Sequence, residues 1–319
     1  MAIWFVFGFI LVGFLAIDLG VLNKDQVLTT KEAIRNSIIW VTIGVLFGVF
    51  VYYAYEFHWF SIGLEIGKAK SGTHAFVQYI SGYLVELSLS VDNLFVFALI
   101  FKYFSVPLAS QHRVLFWGII IALVLRGLMI FGGVALVNRF HWIEYVFAFI
   151  IIYSAYRMWK SGEEEMDIEA MPMVKWLRKW LPIVPFFKED HFFTKESNKW
   201  HATPLFLTFL VVNVVDVIFA FDSIPAIFAI THDEFIIFTS NIFAILGLRS
   251  LYFLLLGMME KFAHLKNALI IILLFIGIKM LINHWYTIPS GFALIMILVI
   301  LGVGVITSIL PGNEVNNQP

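Results

Sequence analysis

The chain has no cysteine among its 319 residues. That excludes disulfides, thiolate metal sites and thiol catalysis together. Charge is also scarce: Asp, Glu, Lys and Arg make up 13% of the sequence, about half the ~25% of a soluble domain. Nor is there an excess of one sign, since 21 Lys and Arg against 22 Asp and Glu leave a net charge of −1. Without a basic surplus, nucleic acid is not an expected partner. No H-E-x-x-H and no G-x-S-x-G occurs, so the commonest zinc-protease and serine-hydrolase signatures are missing. The leading stretch "MAIWFVFGFILVGFLAIDLGVLNK" has no positive residue before Lys24. It reads as a retained span entering N-terminus first, not as a signal peptide.

What the chain has instead is apolar length. Hydrophobic residues make up 61%, including 34 Phe, and runs of ~20 apolar residues recur throughout, the signature of spanning helices. The expected fold is an all-α membrane protein of about nine transmembrane helices, near 2–22, 36–56, 76–101, 113–137, 142–159, 203–230, 238–259, 266–284 and 291–310. With the N-terminus outside, inner loops would hold fifteen Lys and Arg and outer loops three, Lys68, Lys70 and Arg139. By the positive-inside rule that sets the N-terminus outside and the C-terminus in the cytoplasm. In span 2, Gly44 and Gly48 form a GxxxG, a close-packing signal.

Against that background, carboxylates inside spans stand out, because each costs ~2.5–3.5 kcal/mol or more at the bilayer centre. "VELSLSVDNLFVF" (85–97) can be laid over "VDVIFAFDSIPAI" (215–227), so that Glu86 meets Asp216, Asp92 meets Asp222 and Asn93 meets Ser223. Downstream, Arg126 falls opposite Arg249, and Arg157 opposite Lys279. Spans 3–5 and 6–8 therefore read as two copies of a three-span unit. An odd number of spans per copy makes the repeat inverted, an architecture of secondary transporters with the site near the midplane. The expected division is a single transmembrane domain, 1–319: spans 1–2 (1–75), repeat 1 (76–159), a cytoplasmic loop (160–202), repeat 2 (203–284), and span 9 with the tail (285–319). The loop opens on the acidic "EEEMDIE" and continues as "MVKWLRKWLPIV", an interfacial helix by its Trp and Lys/Arg content.

At ~1.5 Å per residue, Glu86 and Asp216 both fall near the midplane of a ~30 Å core. Six residues at ~100° each turn the second acid of each span ~120° from the first. Either the helix is locally broken or the two acids serve different stations on a path. Pro225 points to a break in span 6, because its ring deprives the Phe221 carbonyl of a partner. The ligand candidates are oxygens: Glu86, Asp92, Asn93, Asn213, Asp216, Asp222 and Ser223, with Ser88 and Ser90. All nine histidines fall in loops or at span ends. Such donors suit Mg²⁺, Ca²⁺ and Mn²⁺. Five acids in the spans, Asp18 included, against Arg126, Arg249 and Lys279 leave a charge that one divalent cation or two protons would neutralise. The three bases are expected to compensate charge, and Asp18 to cap or gate span 1. A competing reading has the acids merely locked to those bases, but four acids in equivalent places outnumber them. A protease-like aspartate dyad needs fewer acids, so no enzyme activity is expected.

At these residues the sequence resembles the TerC/Alx family of bacterial membrane proteins, in "ELSLSVDN", "VDVIFAFDSIPAIF", "SNIFAILGLRSLYFLL", "FIGIKMLI" and the loop stretch "HFF". The resemblance implies manganese export across the bacterial inner membrane, with links to tellurite resistance, and carries site roles onto Glu86, Asp92, Asp216 and Asp222. Asn213 stands where family members often have Glu. The expectation is export of Mn²⁺ as the transported ion, by proton antiport, with no organic cofactor. Calcium remains open from the ligands alone, as do a homo-oligomer and exported metalloenzyme clients. The alternative function is a non-transporting scaffold or metal-delivery partner in the membrane.

Overall fold

The computed structural model describes residues 2–17, 28–65, 68–140, 142–160, 183–184, 186–187, 190–196, 199–256, 265–282, 285–286 and 288–309. Asp18, the acidic stretch 163–169 and nearly all of the expected interfacial helix lie outside them. Ten α-helices occur among the described residues: α1 (Ala2–Ala16), α2 (Thr30–Glu56), α3 (Gly72–Tyr103), α4 (Leu108–Arg139), α5 (Ile143–Lys160), α6 (Pro204–Phe228), α7 (Glu234–Ile245), α8 (Leu248–Leu256), α9 (Leu265–Ile282) and α10 (Ser290–Ile309). Two short antiparallel hairpins mark opposite ends of α3 and α6. The first, β1 (Leu64–Glu65) with β2 (Lys68–Ala69), precedes α3; the second, β3 (Phe193–Glu196) with β4 (Lys199–Ala202), precedes α6.

Local chemistry sets the helix starts. Thr29 and Glu32 form a capping box at α2, the Thr29 N–H donating to Glu32 Oε2 at 3.0 Å, so two otherwise orphaned donors are satisfied. Ser71 caps α3 by accepting from His74 N, and α6 opens on Pro204, where a missing N–H costs nothing. The "HFF" stretch anchors the second hairpin: Phe192 packs on Phe206 and Phe209 of α6, and the Arg113 guanidinium of α4 lies over its ring.

Helix α3 is the axis of the bundle, packed against α2, α6, α7, α8 and α10. Gly44 and Gly48 explain its approach to α2. A Cβ on Gly44 would lie 2.7 Å from the Tyr83 ring, and Tyr79 donates its hydroxyl to the Gly44 carbonyl at 3.0 Å. The GxxxG is therefore a helix-packing device. Helices α5 and α9 pack closely through Gly277, where a Cβ would meet Ile152 at 2.6 Å. Further principal contacts join α4 to α6, α2 to α8, α9 to α10 and α5 to α6. Large apolar side chains such as Phe5, Phe9, Leu128, Phe149 and Ile295 stay exposed around the outside, as a lipid-facing surface requires.

Among the described residues five helices are long and apolar enough to cross a membrane, six if the bent pair α7–α8 is one span. Nine was expected. α1 is a shorter apolar helix, and α5 and α9, at 18 residues each, reach ~27 Å against a ~30 Å core. One expectation is corrected. Pro225 does not break α6, which continues to Phe228. The proline sits in the last turn, so its missing N–H removes a single bond near an end where bonds already run out. The break falls instead between α7 and α8, bent by 41°. There Gly247 adopts φ +87, and a Cβ would meet Trp40 of α2 at 2.6 Å. Only glycine fits that left-handed, crowded position.

Candidate functional site

Three helix middles converge on one cluster. α3 supplies Glu86, α4 supplies Arg126 and α6 supplies Asp216, and their exposures are 0%, 1% and 8%. Arg126 Nη1 donates to Glu86 Oε1. Its other edge faces Asp216, with Nη2 to Oδ1 at 3.1 Å and Nε to Oδ2 at 3.4 Å. A planar guanidinium is the side chain suited to this, since its donors form a rigid fork that matches a carboxylate and leave one N–H group for the second acid. The cluster carries two formal negative charges and one positive. Glu86 Oε2 is buried with no hydrogen-bond partner among the described residues, a costly state for a carboxylate oxygen.

Next to Asp216 lies a small cavity of about 20 Å³, room for about one water. It is lined mainly by apolar side chains of α3, α4 and α6, with Asn213 and Asp216 as its polar members. Asn213 donates its amide nitrogen to the Phe209 carbonyl at 2.7 Å, so its side-chain oxygen is the group it has to offer.

The other expected residues are distributed differently. Asp222 does not join Asp216. It accepts from Ser154 Oγ at 2.6 Å and from Arg157 Nη2 at 3.1 Å, both on α5. Helix α6 stays continuous and turns its two aspartates toward different neighbours. Ser223 is buried and its hydroxyl has no partner among the described residues; Ser90 is in the same condition. Ser88 is committed to the Leu84 carbonyl. Asn93 is buried in α3, and the side chain of Asp92 lies outside the described atoms. Arg249 is buried at the start of α8, two residues past the Gly247 break. Lys279 of α9, also buried, donates to the Ala229 carbonyl at 3.1 Å and so caps α6, a favourable place for a cation. Among the described residues no group of three or more His, Cys, Asp or Glu stands ready to hold a metal ion. The partners of Asp222 were not singled out from the sequence. Arg157 had a signal, its place opposite Lys279 in the repeat; Ser154 had none.

Comparison with known proteins adds three findings. Residues 71–315 match the integral membrane protein TerC family. The chain is 43% identical over 310 residues to the Escherichia coli (strain K12) protein named "Putative membrane-bound redox modulator Alx", covering 97% of this chain and 93% of that one. It is also 43% identical over 309 residues to a Myxococcus xanthus membrane protein (97% and 92%), and 38% identical over 316 residues to one from Rickettsia bellii (99% of each). No solved structure matches the chain.

Proposed function

The chain belongs to the TerC family of integral membrane proteins, and on that premise we propose that it is a secondary transporter exporting Mn²⁺ from the cytoplasm by proton antiport. The observation that carries this reading is the Glu86–Arg126–Asp216 cluster. Two carboxylates from different helices share one cation in a buried site. In the resting chain Arg126 is a tethered cation between them. An arriving divalent ion takes its place between Glu86 and Asp216, with the oxygen of Asn213 one turn away on α6. The ion's two charges then match the two carboxylates. On release the guanidinium returns and a proton taken up by Glu86 supplies the second charge, which couples export to proton entry.

The packing supports an inverted repeat of α3–α4–α5 and α6–α7/α8–α9. First helices pack on each other (α3 on α6), as do third helices (α5 on α9), and α3 on α7 is reciprocated by α4 on α6. Exchanging the halves leaves that pattern unchanged, as a two-fold axis in the membrane plane requires. With α7–α8 taken as one broken span and the shorter α1, α5 and α9 counted as crossing, the ten described helices make nine spans. The Lys and Arg distribution then puts the β1–β2 end outside and the β3–β4 end in the cytoplasm. The name of the Escherichia coli relative, a redox modulator, is compatible with a redox-active metal as cargo. Thiol chemistry is not open to a chain without cysteine.

A second reading, a non-transporting membrane scaffold, draws on the lack, among the described residues, of a group of three or more His, Cys, Asp or Glu: the carboxylates would then serve Arg126 alone. Vesicles containing the purified protein and a trapped Mn²⁺-sensitive dye separate the two. Transport predicts dye quenching that responds to an imposed pH gradient and falls at least about tenfold in Glu86→Gln and Asp216→Asn, with Ca²⁺ competition reporting selectivity. Negligible flux in the unmodified chain supports the scaffold.

A further inference from the structure

The two ends of α3 meet very different surroundings. Toward the β3–β4 end, the cavity beside Asp216 measures about 20 Å³. Toward the β1–β2 end there is a cavity of about 690 Å³, with Tyr55, Lys70, His74, Gln78, Thr231 and Asp233 in its wall, and a second of about 210 Å³ that shares Gln78 and Thr231. Gln78, Gly82 and Glu86 follow one another at four-residue intervals, so they lie along one face of α3, each ~40° from the last. Gln78 is thus ~12 Å along the helix from Glu86. Between them the face is shut at Gly82, where a Cβ would lie 2.9 Å from Ser240 Oγ of α7 and 3.8 Å from Ile227 of α6.

Above that contact sits a chain of hydrogen bonds. Gln78 Nε2 donates to the Ile230 carbonyl at 3.3 Å, and Thr231 Oγ1 donates to Gln78 Oε1 at 3.0 Å. Asp233 N donates to Thr231 Oγ1 at 3.2 Å. The Asp233 carboxylate caps α7 through Phe235 N and Ile236 N, and also accepts from Tyr55 OH at 2.7 Å and Lys70 Nζ at 3.1 Å. It therefore ties the end of α2 and the first hairpin to the α6–α7 turn. The loop between α2 and β1 is held against its preference: His58, Phe60 and Ser61 adopt φ of 50, 55 and 64, a left-handed conformation that costs non-glycine residues and collects at clamps and switches.

We propose that a cation leaving Glu86 and Asp216 exits along the Glu86–Gly82–Gln78 face of α3, and that the Gln78–Thr231–Asp233 network, fastened by Tyr55 and Lys70, is the gate at its outer end. The inference rests on the transport reading and adds its route. Ser240 against Gly82 is the inner barrier. Releasing Tyr55 and Lys70 from Asp233 lets the α6–α7 turn and the hairpin part, joining the large cavity to the site.

The absence of cysteine makes the test direct. Ser240→Cys, nearly isosteric, introduces a unique thiol on the route, and a membrane-impermeant charged methanethiosulfonate is applied from the β1–β2 side of reconstituted vesicles. Adding Tyr55→Phe and Asp233→Asn, which keep the ring and the helix cap, is expected to raise the labelling rate about tenfold, the effect of losing roughly one charge-assisted hydrogen bond from the closed state. Labelling is expected to block Mn²⁺ flux. Ser250→Cys, a control thiol buried in α8, is expected to stay slow in both backgrounds. An unchanged Ser240→Cys rate, or equal acceleration of both thiols, overturns the gate, the latter because it marks general loosening. Flux that persists after labelling removes this route but leaves transport standing. A chain with no Mn²⁺ flux at all removes the transport reading and the exit role with it.

Discussion

Helix α6 carries two aspartates, each paired with an arginine at the same 3.1 Å, yet the two pairs are different objects. Asp216 meets Arg126 where the arginine is 1% exposed, and the same guanidinium also holds Glu86. Asp222 meets Arg157 with that arginine 51% exposed and Ser154 supplying a second donor. Bond length does not separate them; surroundings do. Removing one partner of a buried pair leaves an uncompensated charge, at ~3–5 kcal/mol. The Asp222 pair, with its arginine half open and Ser154 as a second donor, is held less tightly and loses less when one partner goes. A transporter needs the first kind at its centre, because a site that strongly resists losing its cation admits another only by exchange. The second kind can fasten helices without controlling anything.

The largest effect that tests this contrast is on stability. Arg126→Met leaves Glu86 and Asp216 buried and facing each other, and is expected to cost ~3–5 kcal/mol or prevent folding in detergent. Arg157→Met is expected to cost less than ~1 kcal/mol. Denaturation of the two purified variants in one detergent measures both, and equal losses would erase the distinction. Next comes function. Glu86→Gln keeps shape and an acceptor oxygen but removes a charge, and is expected to lower Mn²⁺ flux ~10- to 100-fold, as loss of ~1.5–3 kcal/mol of charge-assisted interaction predicts. Asp222→Asn, which keeps an acceptor for Ser154 and Arg157, is expected to lower flux less than about fivefold, the change that ~1 kcal/mol produces. The initial rate of dye quenching reads both.

The contrast was only half legible in the sequence. The acids announced themselves because charge is so rare in this chain, and Glu86 and Asp216 could be placed near helix middles by counting residues. That Arg126 would join both could not be read, because its partners lie on two other helices and come together only through the packing of α3, α4 and α6. Pro225 pointed to the wrong break. Its rule is local, and the position of a helix end decides what a missing N–H costs. The real break at Gly247 hides in "AILGLRSL", an unremarkable apolar run. What requires glycine there is Trp40 of α2, some two hundred residues earlier, and no local pattern carries that. The GxxxG of α2 was readable because the pattern itself describes an approach distance. The hairpin network through Asp233 was not, since Tyr55, Lys70 and Gln78 are ordinary residues until the fold gathers them.

The smallest expected effect is the sharpest probe of how separate the two clusters are. Ser154→Ala removes one hydrogen bond to Asp222 and leaves Arg157 in place. A hydrogen bond of this kind contributes ~0.5–1.5 kcal/mol, and Asp222, 22% exposed at the side chain, is open enough to recover part of that from its surroundings. Stability is therefore expected to fall by less than ~1 kcal/mol, and flux to stay within about twofold of the unmodified chain, the rate change that ~0.4 kcal/mol produces. If flux instead falls as far as in Glu86→Gln, a single hydroxyl on α5 limits transport. Asp222 would then be a second station for the ion, and the two aspartates of α6 would be successive stops on one route through the membrane, not a site and a fastening.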